Sequence, residues 1–408
     1  MHILVFCHYY PPEVNAPASR TSEHARVWIA EGHEVTVITC APNHPRGELY
    51  PGYRNRFFQS KIVDGVRVVR VWSWLAPNEG FVQRVANYVS YMITAVVAVP
   101  RLSKPDVILS TSPQFFCGLA GMFARVMRPR APWILEVRDL WPESIVTVGA
   151  MKKGRAIRFL EWLESTAYRK ADRIISVTEG FVPHIAERRG REGIAIVKNG
   201  VDLSIFKAGE PAQAAAIKAQ FGFEDRILAA YVGTHGMAHG LDTVLDAAQL
   251  LRDDARIGFL LVGDGSERAR LKARAEEMGL PNLKVAGQLP KTDMPAVWSA
   301  TDVSLIVLKK SDTFKTVLPS KMFEAMAMQC PIVLGVEGEA RALLDEAEAG
   351  IGIEPENAHE LADAILRLTN DRDLAAKYGA NGLAHVQGEF DRQALARRCL
   401  EIFEDAVR

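Results

Sequence analysis

Short apolar runs alternate with amphipathic helical stretches along almost the whole chain, and this alternation leaves few folds open. Strands are predicted at 3–7, 34–39, 66–71, 107–109, 133–137, 174–177 and 195–197, with helices at 22–30, 115–127, 156–169 and 181–188. After Asp202 the rhythm restarts, with strands at 228–232, 259–262, 283–285, 303–307 and 332–334. Its helices fall at 241–251, 267–278, 293–300, 320–328 and 360–368. A βαβα order means parallel strands covered by helices on both faces. At 408 residues the chain exceeds one ordinary core, so the expectation is α/β with two Rossmann-like doubly wound domains facing across a cleft. The first is expected at 1–203 and the second at 204–390, with the linker within 200–211. A last helix in 391–408 is expected to cross back to the first domain.

The five cysteines, Cys7, Cys40, Cys117, Cys330 and Cys399, lie far apart, which argues against a zinc ribbon or disulfide frame and for a reducing, cytoplasmic compartment. The first predicted strand begins at Ile3, so no signal peptide is expected. A formal net charge of zero hides an asymmetry: residues 1–200 carry 26 Lys and Arg against 17 Asp and Glu, and the remainder 23 against 32. A basic first half suits peripheral contact with an anionic membrane or acceptor; two domains of unequal charge with no partner is the plainer reading. No basic stripe is interleaved with aromatics, so nucleic acid is not expected. Residues 81–99 are apolar but too short and interrupted to span a bilayer. Asn87, Ser90, Tyr91 and Thr94 share one helical stripe there, so a buried or acceptor-facing helix is expected; ordinary core packing is the plainer reading, and contact with lipid on one side stays an open alternative.

Several chemistries drop out by motif. Gly263-Asp264-Gly265 is followed by Arg268 where a dinucleotide fingerprint needs its third glycine, and no P-loop occurs. His235 and His239 have helical metal spacing, but the glycines around them argue for a loop, so no metal site is expected. Three constellations remain. The loop from Gly233 through Thr234, His235 and Gly236 to Gly240 follows a strand and opens a helix, where backbone can approach a phosphate; a tight turn reads the same way. Ser320 and Lys321 can meet phosphate oxygens, and Glu324 can accept from a ribose diol; a capped helix with a solvated glutamate is the alternative. Arg138, Asp139 and Glu143 follow a buried strand, where Asp139 could take an acceptor proton or simply pair with Arg138.

An ordered set of segments closely resembles retaining glycosyltransferase family 4, of the GT-B fold. They are Lys198-Asn-Gly-Val-Asp202, Leu261-Val-Gly-Asp-Gly265, Gly287-Gln-Leu-Pro290, Ala300-Thr-Asp302, the run from Glu324 to Val333, and Glu348-Ala-Gly-Ile-Gly352. The likeness covers nearly the whole chain, since 170–177 fits the end of the family's first domain. Tyr9-Tyr-Pro-Pro-Glu13, the segment from Arg138 to Ser144 and Pro319-Ser-Lys321 are similar to the group building O-antigen and capsule glycans, of N-acetylfucosamine type. The resemblance implies a nucleotide-sugar donor in the second domain, an acceptor on the first, retention of configuration, and no cofactor or obligatory metal. By it, Gly233, Thr234, His235, Gly236, Gly263, Gly265, Gln288, Leu289, Ser320, Lys321 and Glu324 would hold the donor. Asn15, Arg20, Arg138 and Glu143 would hold a lipid-linked or glycan acceptor, with Asp139 and Lys321 catalytic. Departures exist: Thr316 stands where the family often has a first glutamate, and Thr234 and His239 where it has an Arg and a Lys on the diphosphate. Arg138 stands where it often has a histidine. Those departures keep two rivals open, a sugar-nucleotide epimerase on the same fold and a non-catalytic nucleotide-sugar-binding subunit.

Overall fold

The computed structural model describes the chain except residues 45, 77–80, 113, 148, 150, 152–153, 208 and 210. Positions 208 and 210 of the expected linker therefore lie outside the described residues. Two compact units form, one of Met1–Asn199 with Arg392–Arg408 and one of Gly200–Asp391.

In the first unit the strands are β1 (His2–Phe6), β2 (Glu34–Cys40), β3 (Gln59–Val63), β4 (Val66–Val71), β5 (Val107–Thr111), β6 (Trp133–Val137), β7 (Arg173–Ser176) and β8 (Ile194–Ile196). The helices are α1 (Ala16–Ala30), α2 (Phe81–Ala98), α3 (Phe115–Met127), α4 (Glu143–Thr147), α5 (Arg155–Lys170) and α6 (Val182–Arg189). The sheet order is β3-β4-β2-β1-β5-β6-β7-β8, parallel except for β3 against β4. β1, β5 and β6 are buried at every position, as apolar runs between two helical layers must be. β3 is absent from the sequence reading because it is a largely exposed edge strand with no apolar run. It is joined to β4 through Asp64 and Gly65, both at positive φ, the backbone a tight hairpin demands.

The second unit holds α7 (Pro211–Phe221), β9 (Ile227–Val232), α8 (Asp242–Leu250), β10 (Ile257–Val262), α9 (Arg268–Glu277), β11 (Leu283–Val285) and α10 (Met294–Ala300). It continues with β12 (Val303–Val307), α11 (Lys321–Ala327), β13 (Ile332–Gly335), α12 (Glu339–Glu346), β14 (Gly350–Gly352), α13 (Ala358–Asn370) and α14 (Arg372–Glu389). Its sheet is wholly parallel, in the order β11-β10-β9-β12-β13-β14.

One device sets strand register in both units. An aspartate just before a strand accepts a backbone N–H from the first or second residue of the neighbouring strand: Asp106 from His2, Asp172 from Trp133, and Asp302 from Leu228, at 2.7, 2.8 and 2.8 Å. Each satisfies a donor at the sheet's end that no ladder bond reaches.

The final helix, α15 (Arg392–Val407), belongs to the first unit and packs on α1. Trp28 Nε1 donates to the Ala396 carbonyl at 2.9 Å, its ring meets Phe403 edge-on, and Arg392 pairs with the buried Glu23 at 2.9 Å. The rotation of α2 is set by its polar stripe, which faces inward. Asn87, Tyr91 and Thr94 donate to the carbonyls of Trp74, Ile38 and Trp72, while Ser90 accepts from Trp74 N. Among the described residues no helix is long and apolar enough to cross a membrane.

Candidate functional site

Ligands of doubly wound sheets bind beyond the strand C-termini where the strand order reverses. In the second unit that point lies between β9 and β12, so the loop after β9 is the place to look. This loop packs backbone to backbone on the loop after β10. Gly233 N donates to Val262 O, His235 N to Asp264 O and Glu267 N to His235 O, each at 2.9 Å. A Cβ on Gly263 would lie 1.8 Å from the Gly233 carbonyl oxygen, and one on Gly265 2.4 Å from that of His235. Both glycines also sit at positive φ. Gly263 and Gly265 therefore serve the seam between the two loops, their missing side chains making room for protein backbone.

Over that seam lies Lys321, the first residue of α11. Its Nζ sits 3.5 Å from the centroid of the buried Tyr231 ring and has no hydrogen-bond partner among the described residues. A Cβ on Gly233 would come within 2.9 Å of that nitrogen, so Gly233 leaves the room Lys321 occupies. Burial pulls the ammonium down to about 7, against the opposing pull of Glu324. His235 is fully buried with both ring nitrogens unpartnered, and burial, then Lys321 and Arg268, lower it to about 4. His239 Nδ1 is also unpartnered, and burial holds that ring well below the ordinary histidine range. Both imidazoles are therefore neutral at physiological pH, each with one N–H to give.

Glu324 accepts from Trp298 Nε1 at 3.1 Å, which fixes its carboxylate one turn inside α11. Ser320 precedes the helix and makes no side-chain capping bond. Gln288 and Leu289 follow β11. Arg268 is the residue the sequence reading passed over, noting it only for spoiling a glycine fingerprint. Its Nε is buried and unpartnered, and its Nη2 lies 3.1 Å from where a Cβ of Gly287 would stand. The guanidinium thus covers the backbone just before Gln288 and also faces His235. The one signal for it in sequence is a glycine paired with an arginine 19 positions earlier, which no local pattern detects.

Unit one has its own strand-order reversal, between β1 and β5. Arg20, expected to touch an acceptor, is instead spent on the fold. It is buried and donates to Glu136 at 2.9 Å and to the carbonyls of Lys198 and Val197 at 2.9 and 3.0 Å. Burial pushes Glu136 up, but the Arg20 and Arg138 charges outweigh it and hold the carboxyl below its ordinary value. Arg138 is different: its backbone N–H meets Ser112 Oγ, while its Nε and Nη1 are buried and without a partner among the described residues. Burial lowers it to about 10, against the pull of Glu136. It stays fully charged at neutral pH. Asn15 caps α1 by accepting from Ala18 N at 2.9 Å, leaving its Nδ2 without a partner.

Asp139 lines a small apolar cavity with Phe115, Trp141 and Glu164, roomy enough for about one water. Burial raises it to about 6 despite the bond from Ser144 Oγ at 3.0 Å, so it is mainly ionised at neutral pH. Glu143 lies 3.3 Å from His184, which also meets the buried Glu164 at 3.1 Å. The Glu143 side chain, half exposed, thus joins the His184–Glu164 network at its solvent edge. Among the described residues no group of three or more His, Cys, Asp or Glu could hold a metal ion.

Tandem doubly wound units, the later one presenting unpartnered cationic and imidazole donors at its switch point, are the architecture of the GT-B class. Residues 15–200 match the model described as glycosyl transferase 4-like domain, and residues 213–385 that described as glycosyl transferases group 1. The chain belongs to glycosyltransferase family 4 and is a glycosyltransferase enzyme. It is 26% identical over 400 residues to WcaI of Escherichia coli, named for colanic acid biosynthesis glycosyl transfer, covering 94% of this chain and 96% of that one. It is also 26% identical over 277 residues to the glycosyltransferase WbjE of Pseudomonas aeruginosa, covering 66% and 68%. Among solved structures, sucrose-phosphate synthase from Thermosynechococcus elongatus superposes with a TM-score of 0.76 at 18% identity, covering 99% and 98%. Anabaena HepE in complex with UDP-glucose gives 0.75 at 16%, covering 99% and 100%.

Proposed function

We propose that this enzyme transfers an N-acetylated hexosamine from a UDP-sugar, with retention of configuration, to a lipid-linked saccharide during surface-polysaccharide synthesis. The observation that carries the donor site is Lys321: a buried, unpartnered ammonium flanked by two neutral imidazoles and a second unpartnered cation, Arg268. A diphosphate supplies the charge and acceptors these groups lack. Lys321, His235 and His239 would bind it, with Thr234 and Gly236 of the same loop and Ser320 at its edge. Glu324, oriented by Trp298, would accept from the ribose diol, and Arg268 with Gln288 and Leu289 would flank the base.

Arg138 and Asn15 each hold unused donors in the first unit, which suits the phosphate and hydroxyls of a lipid-linked acceptor. Asp139, ionised above about pH 6, would orient the attacking hydroxyl. The bond from the anomeric carbon to the diphosphate breaks, the acceptor oxygen bonds to that carbon, and its proton passes to the departing diphosphate. Lys321 and the two imidazoles would stabilise the charge left there, so no metal is required. Names of the relatives, colanic acid biosynthesis among them, support the surface-glycan assignment. A sugar-nucleotide panel followed by thermal shift tests the donor: UDP-N-acetylhexosamines should raise the melting temperature, and no response to any UDP-sugar would refute the reading. NMR of the product's anomeric centre tests retention, and activity undiminished by a chelator tests metal independence.

A further inference from the structure

The inward polar stripe of α2 has an outward counterpart. Val82, Ile93 and Val97 are 78%, 54% and 57% exposed, an uncharged stripe along the helix. Because Asn87, Tyr91 and Thr94 are bonded to carbonyls of the sheet side, α2 cannot turn this stripe into the core. Neighbouring α3 packs against both α2 and α5. It adds exposed Phe123 and Val126, while α5 adds Phe159 and Trp162, stacked on one another in solvent. Three adjacent helices of one unit thus expose large apolar side chains, where a soluble surface normally scatters them singly.

Charge says what covers this face. Residues 81–170 carry 13 Lys and Arg against 6 Asp and Glu. Of those acids Glu136 and Glu164 are buried, whereas Arg101, Arg130, Arg155 and Arg158 are exposed at the ends of these same helices. An apolar face with a basic rim matches a bilayer whose surface is anionic and whose interior is apolar. A protein partner would need acidic groups placed to meet these arginines, whereas an anionic bilayer offers charge and an apolar interior together.

We infer that the outer face of α2, α3 and α5 is a bilayer-docking surface, on which the first unit lies against anionic lipid with Val97, Phe123 and Trp162 among the residues entering the headgroup boundary. This stands independently of the donor and acceptor assignments. Co-sedimentation with phosphatidylcholine vesicles, with and without phosphatidylglycerol, tests it on the full chain. Binding is expected only with phosphatidylglycerol, falling as salt rises. The double variant Arg155→Glu with Arg158→Glu, at two exposed positions, should keep its melting temperature and weaken binding about fivefold or more for each arginine removed. Ile93→Glu with Val97→Glu should abolish it at an unchanged melting temperature. Vesicles carrying brominated acyl chains should quench the fluorescence of the wild type, and Trp162→Phe should lose part of that quenching. No binding to anionic vesicles, or variants that bind like the wild type, would overturn the inference. So would a wild-type dimer in light scattering that Ile93→Glu with Val97→Glu splits into monomers, since the face would then belong to a second copy of this chain.

Discussion

Replacing Lys321 with methionine should make the enzyme more stable and nearly inactive at once. Burial takes this ammonium from an ordinary 10.5 to about 7. The unfolded chain therefore binds more protons between those values, and stability rises with pH across that window. At pH 7 the folded protein is carrying most of that penalty, on the order of 4 kcal/mol at 1.36 kcal/mol per pKa unit. Methionine matches the stem without the charge, so the melting temperature of the free protein at pH 7 should rise by several degrees, at roughly 2–4 °C per kcal/mol for a unit this size. The same change removes the cation that a diphosphate needs, and turnover should fall about 10²–10³-fold. Donor binding to the wild type should be tied to protonation: near pH 8 most of the free enzyme has lost this proton and must regain it, so affinity falls as pH rises above 7. Calorimetry in buffers of different ionisation enthalpy should find uptake of close to one proton per donor at pH 8, and none in Lys321→Met. A variant that melts lower than the wild type, or still shifts with donor, would refute this account of the site.

Three further outcomes follow from particular contacts. Gly263→Ala should fail to fold or lose about 3 kcal/mol or more, because its Cβ would meet the Gly233 carbonyl at 1.8 Å and backbone cannot yield. Gly236→Ala, at φ −109 with only ordinary contacts at 3.5 Å, should melt like the wild type; chemical denaturation of both checks the contrast. Arg20→Met strands the buried Glu136 and should cost about 3–5 kcal/mol at pH 7 in the same assay, with the deficit shrinking in acid as the carboxyl protonates. Arg268→Ala should raise the donor KM with little change in kcat, and a strong fall in kcat would move this arginine from the base to the diphosphate.

Local chemistry was readable wherever it depended on neighbours in sequence. The strand rhythm, the start of a helix at Ser320-Lys321 and the loop after β9 all depend on spacings within one element, which periodicity reports. Arg20 was misjudged for the opposite reason: its partner Glu136 stands 116 positions away, and only pairing of β1, β5 and β6 brings them together. The packing of Gly263 against the Gly233 carbonyl was not legible, because positive φ and close approach leave the same mark in sequence whether the approaching group is a ligand or backbone. β3 was invisible because an exposed edge strand needs no apolar run.

The alternation of apolar runs with amphipathic stretches was enough, on its own, to determine two doubly wound α/β units, since burying a parallel strand on both faces demands that composition. Which cations are left without partners was decided only by tertiary packing. Arg20 and Arg138 lie on adjacent parts of one unit, yet one is consumed by a carboxylate and two carbonyls while the other keeps free donors. Desolvation and pairing depend on what lies across space, and the distances involved exceed anything a local pattern encodes.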